Sequence, residues 1–225
     1  MCGRFVSTAP PDQIAAYFDA EAPESALEPS YNVAPTNDVY TVHADGSVRR
    51  VEPMHWGLVP RWAKDPSIGS RMINARAETL ATKNAYKSAF RSRRCLIPAD
   101  GFYEWVARPG QKRKQPMYLY RADGEPLALA GLWERWRPKD APDGEGELRS
   151  TTIITCEPNE AIRPIHDRMP VVLAPEAWAR WLDPAVDDLD LLGALLVPAP
   201  EHLITMHPVS TEVNNVRNKG AHLLE

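Results

Sequence analysis

Arg94-Cys95-Leu96-Ile97-Pro98, Met117-Tyr118-Leu119-Tyr120-Arg121 and Leu127-Ala128-Leu129-Ala130-Gly131-Leu132 decide the fold class. Each apolar run is too short for an ordinary helix and is bounded by Pro, Gly or Asp, so each reads as a strand between turns. The same rhythm extends outward in both directions, and further strands are expected over 38–43, 47–54, 150–156, 170–173 and 203–206. The 22 prolines, about twice the usual share, keep these segments short. Helices are expected over 11–20 and 175–182, each opened by a proline. Two more are expected over 75–90, where Leu80, Ala81, Ala85 and Ala89 recur at roughly helical spacing, and over 186–196. The segment 138–148 reads as an acidic, turn-rich loop between strands. The expected fold is α+β: one β-rich domain over 1–225, mainly antiparallel strands with a barrel-like closure and a few peripheral helices.

With 225 residues, 44% of them hydrophobic and 25% charged, the chain has the composition of a soluble globular protein. No apolar run is long enough to span a bilayer, and the N-terminus lacks a signal-peptide pattern, so a cytoplasmic monomer is expected, on the nucleoid if bacterial. Three cysteines, Cys2, Cys95 and Cys156, give neither a disulfide framework nor a zinc pattern. No metal or other cofactor is expected. The net charge of −4 hides an asymmetry: residues 61–121 carry fourteen Lys and Arg against four Asp and Glu. A basic stretch within an acidic chain is the pattern of a local polyanion-binding face.

Cys2 is the first residue with unusual chemistry. Cysteine is small enough for Met1 to be removed, leaving a terminal residue with both a free α-amine and a thiol. An α-amine has a pKa near 7.8, against about 10.4 for lysine, so far more of it is neutral and nucleophilic at neutral pH. The thiol lies within reach to close a five-membered ring. Such a residue suits aldehyde capture, first as an imine and then as a thiazolidine.

Three further clusters carry candidate chemistry. Asn74-Ala75-Arg76-Ala77-Glu78 is expected at a loop-to-helix junction, where backbone N–H groups can meet an anion. Asp100-Gly101-Phe102-Tyr103-Glu104-Trp105 sets Glu104 among aromatics, surroundings in which a carboxylate can move protons near neutrality. Ile165-His166-Asp167-Arg168-Met169-Pro170 puts an acid–base histidine and a phosphate-binding arginine on one side of an extended segment.

These motifs occur together in one known pattern. Met1-Cys2-Gly3-Arg4-Phe5, Tyr31-Asn32-Val33-Ala34-Pro35, Trp56-Gly57-Leu58-Val59-Pro60, Asn74 to Glu78, Gly101 to Trp105, His166 to Pro170 and His207-Pro208-Val209-Ser210 follow in the order of a single family. The chain resembles the SOS response-associated peptidase (SRAP) family of abasic site processing proteins, from residue 2 to about residue 220. The resemblance implies binding to single-stranded DNA that contains an abasic site, and a thiazolidine crosslink from Cys2 to the sugar aldehyde. It implies catalytic roles for Cys2, Asn74, Glu104 and His166, and DNA contacts by Arg4, Trp62, Arg76 and Arg168. Some bacterial relatives have a second tryptophan where this chain has Ala63, so one stacking surface fewer is expected. Two alternatives come from other classes. One is a cysteine peptidase using Cys2, His166 and Glu104, acting on its own Met1; the other is a non-covalent single-strand binder. Strand cleavage through the imine (a lyase activity) and crosslink reversal are open to the same residues.

Overall fold

The computed structural model describes residues 2–110, 112–142 and 145–225. In chain order the elements are β1 (Phe5–Ser7), α1 (Pro11–Phe18), β2 (Ser30–Val33), β3 (Asp38–Asp45), β4 (Val48–Trp56), β5 (Asn74–Arg76), α2 (Lys87–Ser92), β6 (Arg94–Ala99) and β7 (Gly101–Val106). They continue with β8 (Gln115–Arg121), β9 (Leu127–Trp136), β10 (Leu148–Cys156), β11 (Met169–Pro170), α3 (Pro175–Leu182), α4 (Leu189–Gly193) and β12 (Ile204–Pro208).

The barrel-like closure is present. β3 and β4 form a hairpin, β3 pairs with β6, β6 with β9 and β9 with β10, all antiparallel. β10 then returns to β4 in parallel, Ser150 opposite His55, and the ring closes on five strands. The second sheet, in the order β12-β8-β7-β1-β2, is antiparallel throughout. Phe5, Phe102 and Leu119 from that sheet join Val42, Leu96 and Ile153 of the barrel in one apolar core. Because other elements cover the outside of the barrel, β6 is buried along its whole length and shows no alternation.

All eight expected strands are found within a few residues, although that over 170–173 shrinks to β11 and a bridge between Val172 and Leu129. The helix over 175–182 matches α3, and that over 11–20 ends at Phe18, where Asp19 turns left-handed at φ 50°. The helix over 186–196 shortens to α4, capped by the Asp188 carboxylate. The helix over 75–90 is a correction. Asn74–Arg76 is a strand beside β10, Ala77–Thr79 is a 3₁₀ turn, and helix returns only at α2. Alanine spacing lost to sheet pairing, which buries Ala75 between its neighbours. The loop 138–148 does join β9 to β10, and its Asp143 and Gly144 lie outside the described residues.

Two devices hold the site's surroundings. Arg94, at 2% exposure, donates to the carbonyls of Phe90 (2.8 Å), Arg91 (2.5 Å), Trp181 (2.6 Å) and Val186 (3.1 Å), and to that of Asp183. It therefore ties the last turns of α2 and α3 to β6, satisfying carbonyls that helix ends leave open. Gly57, at φ 141°, lies against Gly69; a Cβ on either would fall 2.5 Å from the other's carbonyl oxygen. That contact seats the loop after Trp56 on the segment leading to Asn74.

Candidate active site

Three of the four expected catalytic residues meet at the start of β1. Antiparallel register sets Phe5 opposite Phe102, with the Tyr103 N–H bonded to the Arg4 carbonyl at 2.9 Å, so the chain's beginning runs alongside Glu104. Asn74 arrives from the barrel side on β5, and its Nδ2 donates to the Cys2 carbonyl at 2.9 Å. Tyr86 Oη donates to the Asn74 carbonyl at 3.4 Å and braces β5 from behind. Cys2 is fully buried and Glu104 is 3% exposed. Burial pushes the Cys2 thiol well above the ordinary thiol range, and the Glu104 charge pushes it further. A thiol held neutral beside a carboxylate has a proton acceptor at hand when it attacks.

The remaining acid–base and phosphate candidates stand beside the next residues along β5 and β10, two positions beyond Asn74 and Ile153. β10 pairs Ile153 with Asn74 and Thr155 with Arg76, and pairs Cys156 with Met169, next to Arg168. Arg168 Nη2 donates to the Thr155 carbonyl at 2.5 Å, so Arg76 and Arg168 meet at Thr155. His166 and Arg168 do not lie along an extended segment as expected. The chain bends at Asp167, and the Arg168 N–H donates to His166 Nδ1 at 3.0 Å, with Asp167 Oδ1 2.8 Å from the same nitrogen. With Nδ1 unprotonated it accepts from Arg168 and the ring proton sits on Nε2; protonated Nδ1 pairs with Asp167 instead. The expected loop-to-helix junction at Asn74 is likewise a strand followed by a 3₁₀ turn, so its anion-binding charge comes from side chains.

The expected DNA contacts have different settings. Trp62 is 59% exposed, and Arg76 is exposed. Arg4 turns inward: Nη1 donates to Asn32 Oδ1 at 2.8 Å and to the Val213 carbonyl at 3.0 Å, while the guanidinium lies 5.9 Å from the Trp105 ring centre. Ala63 is buried with Val59 and Trp136, so its methyl group packs inward beside the exposed Trp62.

Two further residues escaped the sequence reading. Glu78 grips Arg168 with both oxygens, at 2.8 and 3.0 Å, and that bond holds its carboxyl below the usual range. Asn32, fully buried, donates to the carbonyls of Val213, Asn215 and Asn218 and fastens the C-terminal segment behind Arg4. Both stand inside motifs quoted above; Glu78, a carboxylate closing a motif that contains Arg76, was the stronger signal. Among the described residues no group of three His, Cys, Asp or Glu side chains could hold a metal ion, and no helix is long and apolar enough to cross a membrane.

Residues 1–216 match the family described as SOS response associated peptidase (SRAP). The chain belongs to the SRAP family. Its similarity to curated SRAP relatives runs from end to end. It is 44% identical to the abasic site processing protein YoqW of Bacillus subtilis, covering 100% of this chain and 99% of that one. It is 34% identical to the abasic site processing protein YedK of Escherichia coli, covering 100% and 99%. The abasic site processing protein HMCES of Xenopus tropicalis is 34% identical over 97% of this chain and 76% of its own. Among solved structures, a Bacteroides thetaiotaomicron protein shares the fold, with TM-score 0.88 at 24% identity over 100% of this chain and 99% of its own. A phage-related protein of Bordetella bronchiseptica aligns with TM-score 0.67 at 30% identity, over 92% and 94%. The SRAP fold is thus the closed five-strand barrel with its second antiparallel sheet, and the Cys2–Asn74–Glu104 group sits where the two meet.

Proposed function

We propose that this SRAP protein binds abasic sites in single-stranded DNA and captures them covalently through Cys2 after loss of Met1. One contact carries this function: Asn74 Nδ2 holds the Cys2 carbonyl at 2.9 Å while the buried Glu104 carboxylate bears on the Cys2 thiol. A residue fixed at its carbonyl presents both of its nucleophiles in one orientation, and the loss of orientational freedom precedes the reaction.

The chemistry balances without a redox partner. His166 gives a proton to the ring oxygen of the closed sugar as the bond from that oxygen to the anomeric carbon breaks. The anomeric hydroxyl gives up its own proton, which returns to His166, as it becomes the aldehyde. The Cys2 amine adds to the carbonyl carbon, and the carbinolamine loses water to give an imine. The Cys2 sulfur then bonds to the imine carbon, its proton passing by way of Glu104 to the nitrogen. The products are a thiazolidine and one water. Arg76 and Arg168 hold flanking phosphates, Trp62 stacks on a base, and Arg4 adds charge while anchoring the strand that begins at Cys2. Arg168 is held by Glu78 until a phosphate competes for it.

The test is a denaturing gel after incubation with abasic and intact oligonucleotides. A heat-stable shift with abasic DNA only, lost in Cys2→Ala, is expected. Peptide cleavage with no shift would instead favour the peptidase reading, and binding without a denaturation-resistant shift would favour the non-covalent one.

A further inference from the structure

The basic stretch 61–121 is not used up by the Cys2 site. Arg94 is buried among carbonyls and Arg76 meets Thr155, but Arg61 and Arg93 lie elsewhere. With Glu134, Arg135, Arg137 and Glu147 they line a groove of about 500 Å³ at the end of β9. A second recess of about 360 Å³ shares Arg61 and Glu134 with it and has Trp62 in its wall.

The groove is joined to the site by bonded chain. Trp136 Nε1 donates to the Ala63 carbonyl at 2.7 Å, and the Val59 N–H donates to Ser150 Oγ at 2.8 Å. These bonds fasten the loop carrying Arg61 and Trp62 to the strands that carry Arg135 and Arg149. On its other side the same loop is bonded to the approach to Asn74. The Leu58 N–H donates to the Met72 carbonyl at 3.1 Å, and Trp56 Nε1 donates to that of Ile73 at 3.0 Å.

The charges in the groove do not cancel. Glu134, nearly buried, is committed to Arg93 at 2.9 Å. Glu147 pairs with Arg137 at 2.9 Å and lies 3.8 Å from Arg135, while Arg149, 3.2 Å from it, has Glu52 as a second carboxylate. The groove's own four arginines, Arg61, Arg93, Arg135 and Arg137, therefore face two carboxylates. Arg61 has no ion pair among the described residues. Arg135 also stacks at 5.4 Å over Trp133. A row of under-neutralised arginines with an exposed indole at one end suits a chain of phosphates whose bases can stack. An acidic peptide would use the charges but not the indole face.

We propose that this groove holds the single-stranded DNA flanking the lesion on one side, so that the protein grips a longer stretch than the Cys2 cleft spans. The proposal rests on DNA being the ligand of the Cys2 site. Its test uses intact DNA, so that the two can fail separately. Affinity is measured by fluorescence anisotropy over a salt series for single strands of about 6 and about 20 nucleotides, lengths that bracket the footprint of a small binding domain. Arg135→Ala/Arg137→Ala should weaken the long strand roughly tenfold and flatten its log–log salt slope by about 1.4, the loss of two phosphate contacts. Short-strand affinity, and the rate of adduct formation on a short abasic strand, should stay at the wild-type value. Arg180→Ala, exposed on the outer side of α3, should change neither strand. Unchanged long-strand affinity in the double variant, or an equal loss on both lengths, would overturn the proposal. So would loss of polyglutamate binding with DNA affinity intact, which would assign the groove to an acidic protein segment. Absence of any adduct from the wild-type protein would count against the Cys2 reading alone.

Discussion

At the scale of single residues, Cys2 and Glu104 are coupled through charge, and the sign of that coupling is testable. The Glu104 carboxylate disfavours the Cys2 thiolate, so Glu104→Gln should make the thiol easier to ionise while burial still holds it high. Alkylation of Cys2 at mildly alkaline pH, in a Cys95→Ser/Cys156→Ser background, should therefore be several times faster in Glu104→Gln. Slower or equal alkylation would separate the two groups. Asn74→Ala removes one hydrogen bond to the Cys2 carbonyl, worth about 0.5–1.5 kcal/mol, and should slow adduct formation about two- to thirteenfold. DNA affinity should be nearly unchanged, which stopped-flow anisotropy beside a gel time course would show. His166→Ala should be rescued on an open-chain aldehyde, because the ring-opening step is then bypassed; Glu104→Ala should not. Equal defects of both variants on both substrates would end that division of labour.

At the scale of elements, the Arg94 clamp and the Gly57–Gly69 contact make distinct predictions. Arg94→Leu leaves five carbonyl bonds unmade and should lower stability by about 3–5 kcal/mol, read as a fall in urea midpoint. Arg94→Lys should recover only part of this, since an ammonium cannot span acceptors from Phe90 to Val186. Gly57→Ala meets the Gly69 carbonyl oxygen at 2.5 Å with an unfavourable φ, so it should both destabilise the fold and displace the loop that carries Trp62. Near-wild-type stability and Trp62 fluorescence in that variant would contradict the packing. These contacts also separate the elements that the sequence announces from those that it does not. Long apolar runs such as 127–132 and 150–156 announced their strands, and Pro175 announced α3. Residues 74–76 did not, because a three-residue strand has no pattern of its own and exists only where Ile153 to Thr155 offer a partner. Cys2, Asn74 and Glu104, which the fold brings together, each stand in a motif that the sequence displays. The inward turn of Arg4 and the Glu78 grip on Arg168 were not legible there, since both depend on segments far away in sequence.

At the scale of the whole molecule, buried thiols make stability depend on alkaline pH. Burial raises Cys95 to about 12 and Cys156 to about 11, whereas unfolded thiols ionise near 8.5. The folded state keeps these protons while the unfolded state loses them, so stability is intact below about pH 8.5 and falls as pH rises toward 11 and 12. Cys95→Ala should flatten the fall by up to about 1.4 kcal/mol per pH unit, measured by urea unfolding between pH 8 and pH 10. Over the whole fold, the barrel and the second sheet meet at the site: β5 supplies Asn74, β7 supplies Glu104, and Cys2 is bonded to Asn74 at the start of β1. In the proposed reaction the amine and the thiol of one terminal residue do the capturing. The most direct measurement compares adduct yield on abasic single-stranded DNA, after heat denaturation without reductant, for protein with a free Cys2 terminus and protein blocked by an N-terminal tag. The free terminus should give a heat-stable adduct, and the blocked protein should bind the DNA yet give none. A heat-stable adduct from the blocked protein would mean that capture does not use the free amine of Cys2.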